Sequence, residues 1–510
     1  MTGRFRAIVA LLGIGLIVLL AGRILGYLSS SPQALAGDEV VPLAEQSDPL
    51  AVVDAWPKPD VLLVVSGRQH GYIEPCGCTG LESARGGLSR RHELIKRLEQ
   101  LGQPLVKLDV GNQVRRFGGQ AEIKFHTTLE AMRLMEYDAI GFGPDDLRLS
   151  FGELLVGVAG EQESQSEFVC ANVSILGVHP TFRVFDSGGR RIGVTAVMGQ
   201  QALEKVNNQE IEIKNTKESL QAAVRALREA KVDVSVLLAH ATLEETRQLA
   251  RQFPEFQVIV TAGGAGEPTL QPEVVEGTGS RIVQVGTKGM YIGVLGIFSD
   301  RNEPIRYQRI QLDARFGDSK PVLEIFASYQ YQLQVSGLEG LGVKPAKHPR
   351  PNRRFVGSET CGVCHTSAYA SWLETPHFRA TEDIHVPTER SEVRRDFDPE
   401  CLSCHVTGWN FQEFFPFVSG YEEFETSSHL HGNGCENCHG PGSAHVAAEN
   451  GDVEVSDAER EKLQLEMRLT LEQAKKSLCF QCHDLDNSPD FHVDGAFDRY
   501  WDGVKHYGLD

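Results

Sequence analysis

Eight of the 11 cysteines in this chain fall into four pairs of identical spacing, and a histidine follows the second cysteine of every pair. The segments are Cys361-Gly-Val-Cys364-His365, Cys401-Leu-Ser-Cys404-His405, Cys435-Glu-Asn-Cys438-His439 and Cys479-Phe-Gln-Cys482-His483. Two thiols three residues apart can form thioethers with the two vinyl groups on one edge of a porphyrin. The next imidazole then lies under the ring and reaches the iron. With this composition such a motif arises by chance roughly 0.008 times per chain, so four are not accidental. Zinc ribbons share the cysteine spacing but do not require a histidine after every pair. Disulfides would also leave the histidines unexplained. The expected cofactor is therefore four covalently attached haem c, with His365, His405, His439 and His483 as proximal iron ligands.

Each iron takes a sixth ligand unless its face is open for chemistry. The same region holds seven further histidines, at 377, 385, 429, 431, 445, 492 and 506. Four of them suffice for low-spin, bis-histidine haems suited to electron transfer. The candidate distal ligands are His377, His445, His506 and either His429 or His431, while His385 and His492 fit least well.

These residues must be positioned by a chain of 510 residues, a length that fits two or three domains. The net charge of -19 argues against nucleic acid as a partner and is compatible with redox partner proteins. Residues 1–28 carry Arg4 and Arg6 ahead of an apolar run from Ala7 to Gly22, the pattern of an export segment. Cleavage near Ala34-Leu35-Ala36 and retention as a membrane anchor both stay open, and either places the bulk of the chain on the periplasmic side of a bacterial membrane. Residues 29–59 read as a linker.

From 60 to 312 short β-branched runs alternate with helical periodicity, which predicts an α/β domain. Strands are expected at 61–65, 104–110, 138–142, 169–173, 232–239, 257–261 and 282–286, with helices at 88–101, 216–231 and 243–252. A connector follows over 313–354, with one amphipathic stretch at 321–334 and a Pro- and Arg-rich end. From 355 to 510 periodicity fades, and only 463–477 predicts a long helix. A module whose core is largely porphyrin needs few regular elements.

The opening Phe355-Val-Gly-Ser-Glu-Thr-Cys361, with Tyr369, Trp372 and Thr375-Pro-His377, resembles the tetrahaem cytochromes c of the hydroxylamine-oxidation pathway. The runs Cys401-Leu-Ser-Cys-His-Val-Thr-Gly408 and Cys435-Glu-Asn-Cys-His-Gly-Pro-Gly-Ser-Ala-His445 are similar to later haem segments of that family. The resemblance implies closely stacked haems, distal roles for His377 and His445, and in some members one open-faced iron.

Residues 60–312 resemble the calcineurin-like metallophosphoesterases of the periplasmic nucleotidase type. The resemblance rests on His70-Gly71, Pro75-Cys-Gly-Cys78, Gly86-Gly-Leu-Ser-Arg-Arg91, Leu108-Asp-Val-Gly-Asn112, Tyr137-Asp-Ala-Ile140, Asp145-Asp146, Leu237-Leu-Ala-His240 and Gly263-Gly264. It implies an α/β layered sandwich, followed here by a mainly α or irregular tetrahaem cytochrome domain. The metal-site positions are altered. Arg68 stands at the first Asp, Asn112 at the bridging Asp, Pro144-Asp145-Asp146 at the Asn-His step and Gly264-Ala265-Gly266-Glu267 at the closing His motif, leaving His70 and His240. Two-metal hydrolysis needs bridging carboxylate charge, which Asn112 and Arg68 do not supply. Phosphatase activity is therefore not expected, and the module is expected to recognise a partner or ligand. Cys76 and Cys78 keep several readings: metal ligands with His70, inert thiols, or partners of Cys170. Electron transfer is the leading expectation. A haem enzyme with one open iron, acting on a small nitrogen or sulfur compound, is one rival; a nucleotide- or phosphate-binding redox sensor is the other.

Covalent attachment has a direct test. After denaturation and acid–acetone extraction, mass spectrometry of the purified chain should show four retained haems. A colourless chain of bare polypeptide mass would refute the motif reading.

Overall fold

Val61–Ser66 (β1) is buried along its whole length, so both of its faces need cover. Val61, Leu63 and Val65 point into one core, while Leu62 and Val64 point into another. That alternation is the period-2 geometry of a strand with layers on both sides. Leu105–Asp109 (β2) and Ala139–Ile140 (β3) continue the sheet in parallel. Val173–Ser174 (β4) forms a small side pairing with a later strand. Phe182–Ser187 (β5), Arg190–Met198 (β6), Glu212–Ile213 (β7), Val234–His240 (β8), Val258–Thr261 (β9), Glu273–Val274 (β10), Arg281–Gln284 (β11), Tyr291–Ile297 (β12) and Ile305–Gln311 (β13) complete the strands. One sheet has the order β13-β12-β1-β2-β3 and the other β10-β11-β9-β8-β6-β5.

The two sheets face each other across Val61, Leu63, Val106, Leu108, Val194, Val236, Leu238, Val258 and Val260. Helices α1 (Leu88–Gln100) and α2 (Gly119–Leu134) cover the outer face of the first sheet. Helices α3 (Thr216–Glu229) and α4 (Leu243–Gln252) cover the outer face of the second. The result is a four-layer α/β/β/α sandwich. Each fully buried Leu or Val contributes about 1.5–3 kcal/mol of transfer free energy towards offsetting the chain entropy lost on folding.

The computed structural model describes residues 48–74, 84–160, 166–300, 302–387, 393–485 and 487–507. The expected export segment, most of the linker, and Cys76 and Cys78 lie outside the described residues. Among the described residues no helix is long and apolar enough to cross a membrane.

The strand expected at 138–142 shortens to β3, and three further sequence expectations change. The strand expected at 169–173 shrinks to β4, because the Asn172 side chain makes the pairing instead: Nδ2 donates to the Met198 carbonyl at 2.8 Å and Oδ1 accepts from the Met198 amide at 3.0 Å. The amphipathic stretch at 321–334 lies inside α5 (Lys320–Gly340), which packs Val322, Phe326 and Leu333 into the core of the first sheet. The long helix expected at 463–477 is broken, because Asp457–Glu466 ends and Thr470 starts a new turn through a capping box with Gln473.

Among the described residues beyond 355 the chain is short helices joined by loops, with isolated bridges such as Val406–His431 and Trp409–Pro416. Its largest polypeptide core is small: Phe355, Ile384, Leu402, Val406, Trp409, Tyr421 and Leu430. Polar groups fasten it to the sandwich. Lys124 Nζ on α2 lies 2.6 Å from Glu400 Oε2, with side chains 9% and 33% exposed. Asp398 accepts from Gln120 at 2.7 Å, Gln330 at 3.1 Å and Tyr329 at 3.3 Å, and also caps the helix that follows it. Arg116 lies 3.7 Å from the centre of the Phe414 ring.

Removing Glu400 strands the buried Lys124 ammonium. Glu400→Ala should lower the unfolding free energy by roughly 2 kcal/mol, read as a lower urea midpoint, while the exposed Glu454→Ala should leave it unchanged.

Candidate functional site

Each Cys-x-x-Cys-His segment forms one turn of helix. In the first and fourth, the His365 and His483 amides donate back to the Cys361 and Cys479 carbonyls at 2.9 Å. The second and third are helices Pro399–His405 and Cys435–His439. A helical turn brings residues i and i+3 onto one face, so both thiols of a pair can reach one porphyrin edge with the histidine beside them. The motifs also lie together: the Cys361 thiol pairs with that of Cys435, and the Cys404 thiol with that of Cys482. The pairing with Cys361 draws the Cys435 thiol down.

Three of the four motif histidines face a second histidine ring. The centroid separations are 6.3 Å for His365–His445, 6.0 Å for His377–His483 and 5.7 Å for His439–His506. Two imidazoles bound through one nitrogen each to a shared metal, at ~2.0–2.1 Å, stand with centroids about 6 Å apart. The described histidines thus leave gaps of the right width for an axially ligated iron, and the donor set fits haem c. Burial depresses His377, His405, His439, His445 and His483, the last to about 4, which keeps the imidazoles neutral as a metal requires.

Second contacts aim the rings. Nδ1 of His405 lies 2.6 Å from the Ala380 carbonyl, Nδ1 of His439 lies 2.6 Å from the Met467 carbonyl, and Nδ1 of His483 lies 2.8 Å from Ser488 Oγ. A bond at Nδ1 leaves Nε2 for the metal. His431 instead directs Nε2 to the Phe424 carbonyl at 2.8 Å. His385 stacks on Phe424 at 3.5 Å and pairs with Asp396 at 2.7 Å. His492 Nε2 lies 2.8 Å from the His483 carbonyl, and His429 enters none of the described ring pairs. Sequence reasoning missed Glu436. Buried between Cys435 and Cys438, it accepts amides of Val356, Gly357 and Gly442 and so ties the third motif to the start of the first. A charged residue that is the one buried side chain of the Cys435–His439 turn was its only signal.

In the sandwich, the phosphoesterase-like positions meet at the C-terminal ends of β1, β2, β8 and β9. The Arg68 guanidinium donates to the Ala262 and Gly264 carbonyls at 3.1 and 3.2 Å. Both ends of the Asn112 amide are taken by Asp145: Nδ2 donates to its carboxylate at 2.9 Å and Oδ1 accepts from its amide at 3.0 Å. Asp146 accepts amides of Asn112, Gln113, Val114 and Gly143, although burial pushes its carboxyl up to about 7. Glu267 is exposed and paired with Arg85 and Arg309. Among the described residues no group of three or more His, Cys, Asp or Glu side chains is arranged to hold a metal ion. Cys170 is a buried thiol donating to Asn172 Oδ1 at 3.4 Å, while Cys76 and Cys78, its possible partners, lie outside the described residues.

A fold of two facing sheets under helices, joined to a module of Cys-x-x-Cys-His turns, defines a c-type cytochrome module on a phosphoesterase-like scaffold. Residues 360–440 match the family described as cytochrome c554 and c-prime, which covers the first three motifs and stops before the fourth. The C-terminal region thus carries a segment similar to the haem-binding c-type cytochromes. Cytochrome c-554 of Nitrosomonas europaea is 34% identical over 98 residues, covering 17% of this chain and 39% of that protein. An apyrase of Tabanus yao is 23% identical over 329 residues, covering 59% of this chain and 58% of that protein. The chain thus spans less than two thirds of either relative. A solved 5'-nucleotidase precursor from Thermus thermophilus aligns with a TM-score of 0.46 at 21% identity, over 54% of this chain and 59% of that one.

His70 and His240 are depressed to about 3 and about 4, chiefly by burial and then by the neighbouring Arg68. In the unfolded chain both titrate near ~6.5. The unfolded state therefore takes up protons first as pH falls, so stability is intact above that value and drains away towards pH 4 and below. A urea midpoint that falls between pH 7 and pH 5, with a shallower fall in the His70→Gln/His240→Gln variant, is the expected outcome.

Proposed function

We propose that this chain is a tetrahaem electron-transfer protein working outside the cytoplasm, in which the α/β sandwich is a non-hydrolytic platform for partner or ligand recognition. The observation that carries this reading is the set of three opposed histidine pairs spaced for a shared iron. When bound, haem iron cycles between ferrous and ferric states and supplies one-electron capacity. The chain's own residues do the rest. Cys361, Cys364, Cys401, Cys404, Cys435, Cys438, Cys479 and Cys482 anchor the four groups, and His365, His405, His439 and His483 approach from the proximal side. His445, His377 and His506 serve as distal ligands to the first, fourth and third haems. Each distal histidine comes from another stretch of chain, so ligation also staples the module together.

The export-type N-terminal pattern supports an extracytoplasmic location. The net charge of -19 suits a redox partner with a basic docking patch. Loss of bridging carboxylate at Asn112, with Arg68 at the first metal position, supports a non-hydrolytic sandwich. The rival hydrolase reading predicts manganese-dependent nucleotide hydrolysis, which this reading does not.

His445→Ala should turn one haem from low-spin to high-spin and make it bind carbon monoxide when reduced, whereas His492→Ala should leave the spectrum as it is. An unchanged spectrum in His445→Ala would remove the distal assignment.

A further inference from the structure

The connector between the two modules carries a charge opposite to that of the whole chain. Residues 340–358 hold Lys344, Lys347, Arg350, Arg353 and Arg354 and no Asp or Glu, in a protein of net charge -19. Prolines at 345, 349 and 351 restrict the backbone and stiffen the segment. It is also tied down. The Ala346 amide donates to the Pro416 carbonyl at 2.9 Å, and the Ala346 carbonyl accepts from the Val418 amide at 2.8 Å. The His348 ring stands edge-on to Phe417 and Phe355, with centroids 4.8 and 5.8 Å away. A merely solvated charge run has no need of such anchoring.

The five cations divide by direction. Arg350 and Arg353 turn inward. Arg350 Nη1 donates to the His439 carbonyl at 2.6 Å, so the connector touches the third Cys-x-x-Cys-His turn. Gly440, with φ of 85°, makes the room, because a side chain there would strike the Arg350 guanidinium. Arg353 pairs with Glu466 at 3.1 Å and neutralises that carboxylate. Lys344, Lys347 and Arg354 are exposed, and none of them has an ion pair among the described residues. The Arg354 amide donates to Ser443 Oγ at 2.9 Å, at the start of the helix that carries His445. The outward cations therefore stand on a rigid strap that borders the third turn and the helix whose histidine faces the first.

We propose that this strap is a docking surface for an acidic redox protein, through which electrons enter or leave the cytochrome module. The proposal rests on the haem reading above and adds where a partner binds and which charge it carries. Complementarity selects the occupant: unpaired cations on the strap attract carboxylates, which the acidic remainder of the chain repels. Steering by such a patch raises encounter rates ~10–10³-fold, and salt screens it over ~8 Å at physiological ionic strength. A second partner with a basic patch would be drawn to the acidic remainder, so donor and acceptor need not compete. One electron moves per encounter: the reduced partner loses it and a ferric haem becomes ferrous, with no atom transferred.

The test uses the full-length holoprotein and, as the probe, a strongly acidic plant-type ferredoxin, whose reduced cluster gives up one electron. Stopped-flow absorbance reads the rate of haem reduction at low and at high salt. The rate constant is expected to fall as salt rises, although both proteins are net negative. Lys344→Gln/Lys347→Gln/Arg354→Gln should slow it at least about tenfold at low salt, while Lys344→Arg/Lys347→Arg/Arg354→Lys keeps it. Lys217→Gln/Arg225→Gln/Lys231→Gln, the same charge change at exposed positions around α3, should leave it unaltered. A rate that rises with salt, or one that is equal in the neutralised variant, overturns the proposal. Loss of binding to phosphatidylglycerol vesicles in that variant, with ferredoxin binding unaltered, also overturns it and makes the strap a membrane contact. Calorimetry with oxidised ferredoxin keeps the two readings apart. A preparation lacking haem absorbance defeats the haem reading alone, and ferredoxin binding weakened in the neutralised variant still upholds the docking surface.

Discussion

Beyond residue 355 the fold is organised around gaps of about 6 Å between imidazole rings, the width a doubly ligated metal dictates. Three such gaps join sequence-distant segments: His365 with His445, His439 with His506, and His483 with His377. The short helices, the Nδ1 contacts to Ala380, Met467 and Ser488, and the Glu436 link to the start of the module all hold rings at that spacing. The small polypeptide core follows from the same constraint, because residues that flank a porphyrin have no need to pack on one another.

The sandwich imposes a different constraint, and the two meet at α2. Two sheets bury their inner faces on each other, and helices must cover the outer ones. Helix α2 does this with one face and presents Gln120 and Lys124 to Asp398 and Glu400 with another. Asp398 is therefore shared: it starts the helix that carries Cys401 and accepts from Gln120, Tyr329 and Gln330 of the sandwich. The second haem turn is set by the packing of the first module. A phosphoesterase-like fold can persist without metal chemistry because its stability resides in these layers rather than in its strand-end loops.

Much of this was legible in sequence because it depends on local spacing. Helical i, i+3 geometry reads out the four Cys-x-x-Cys-His turns, and apolar runs read out β1, β2, β8 and β9. What escaped depends on distance along the chain or on side chains standing in for backbone. The β5–β6 hairpin turns on Gly188 and Gly189, both left-handed with φ of 59° and 73°, a two-glycine signal that was present but unused. The Asn172 bridge to Met198 is invisible to any periodicity. The choice among distal histidines is a tertiary fact: His445 lies close in sequence to the third motif yet faces His365 of the first.

The central claim is that opposed histidines ligate covalently held iron. Electron paramagnetic resonance of the oxidised, full-length holoprotein tests it most directly. The account predicts ferric signals from at least three low-spin, bis-imidazole haems in each chain. A spectrum containing only high-spin haems, or no haem iron at all, would contradict it.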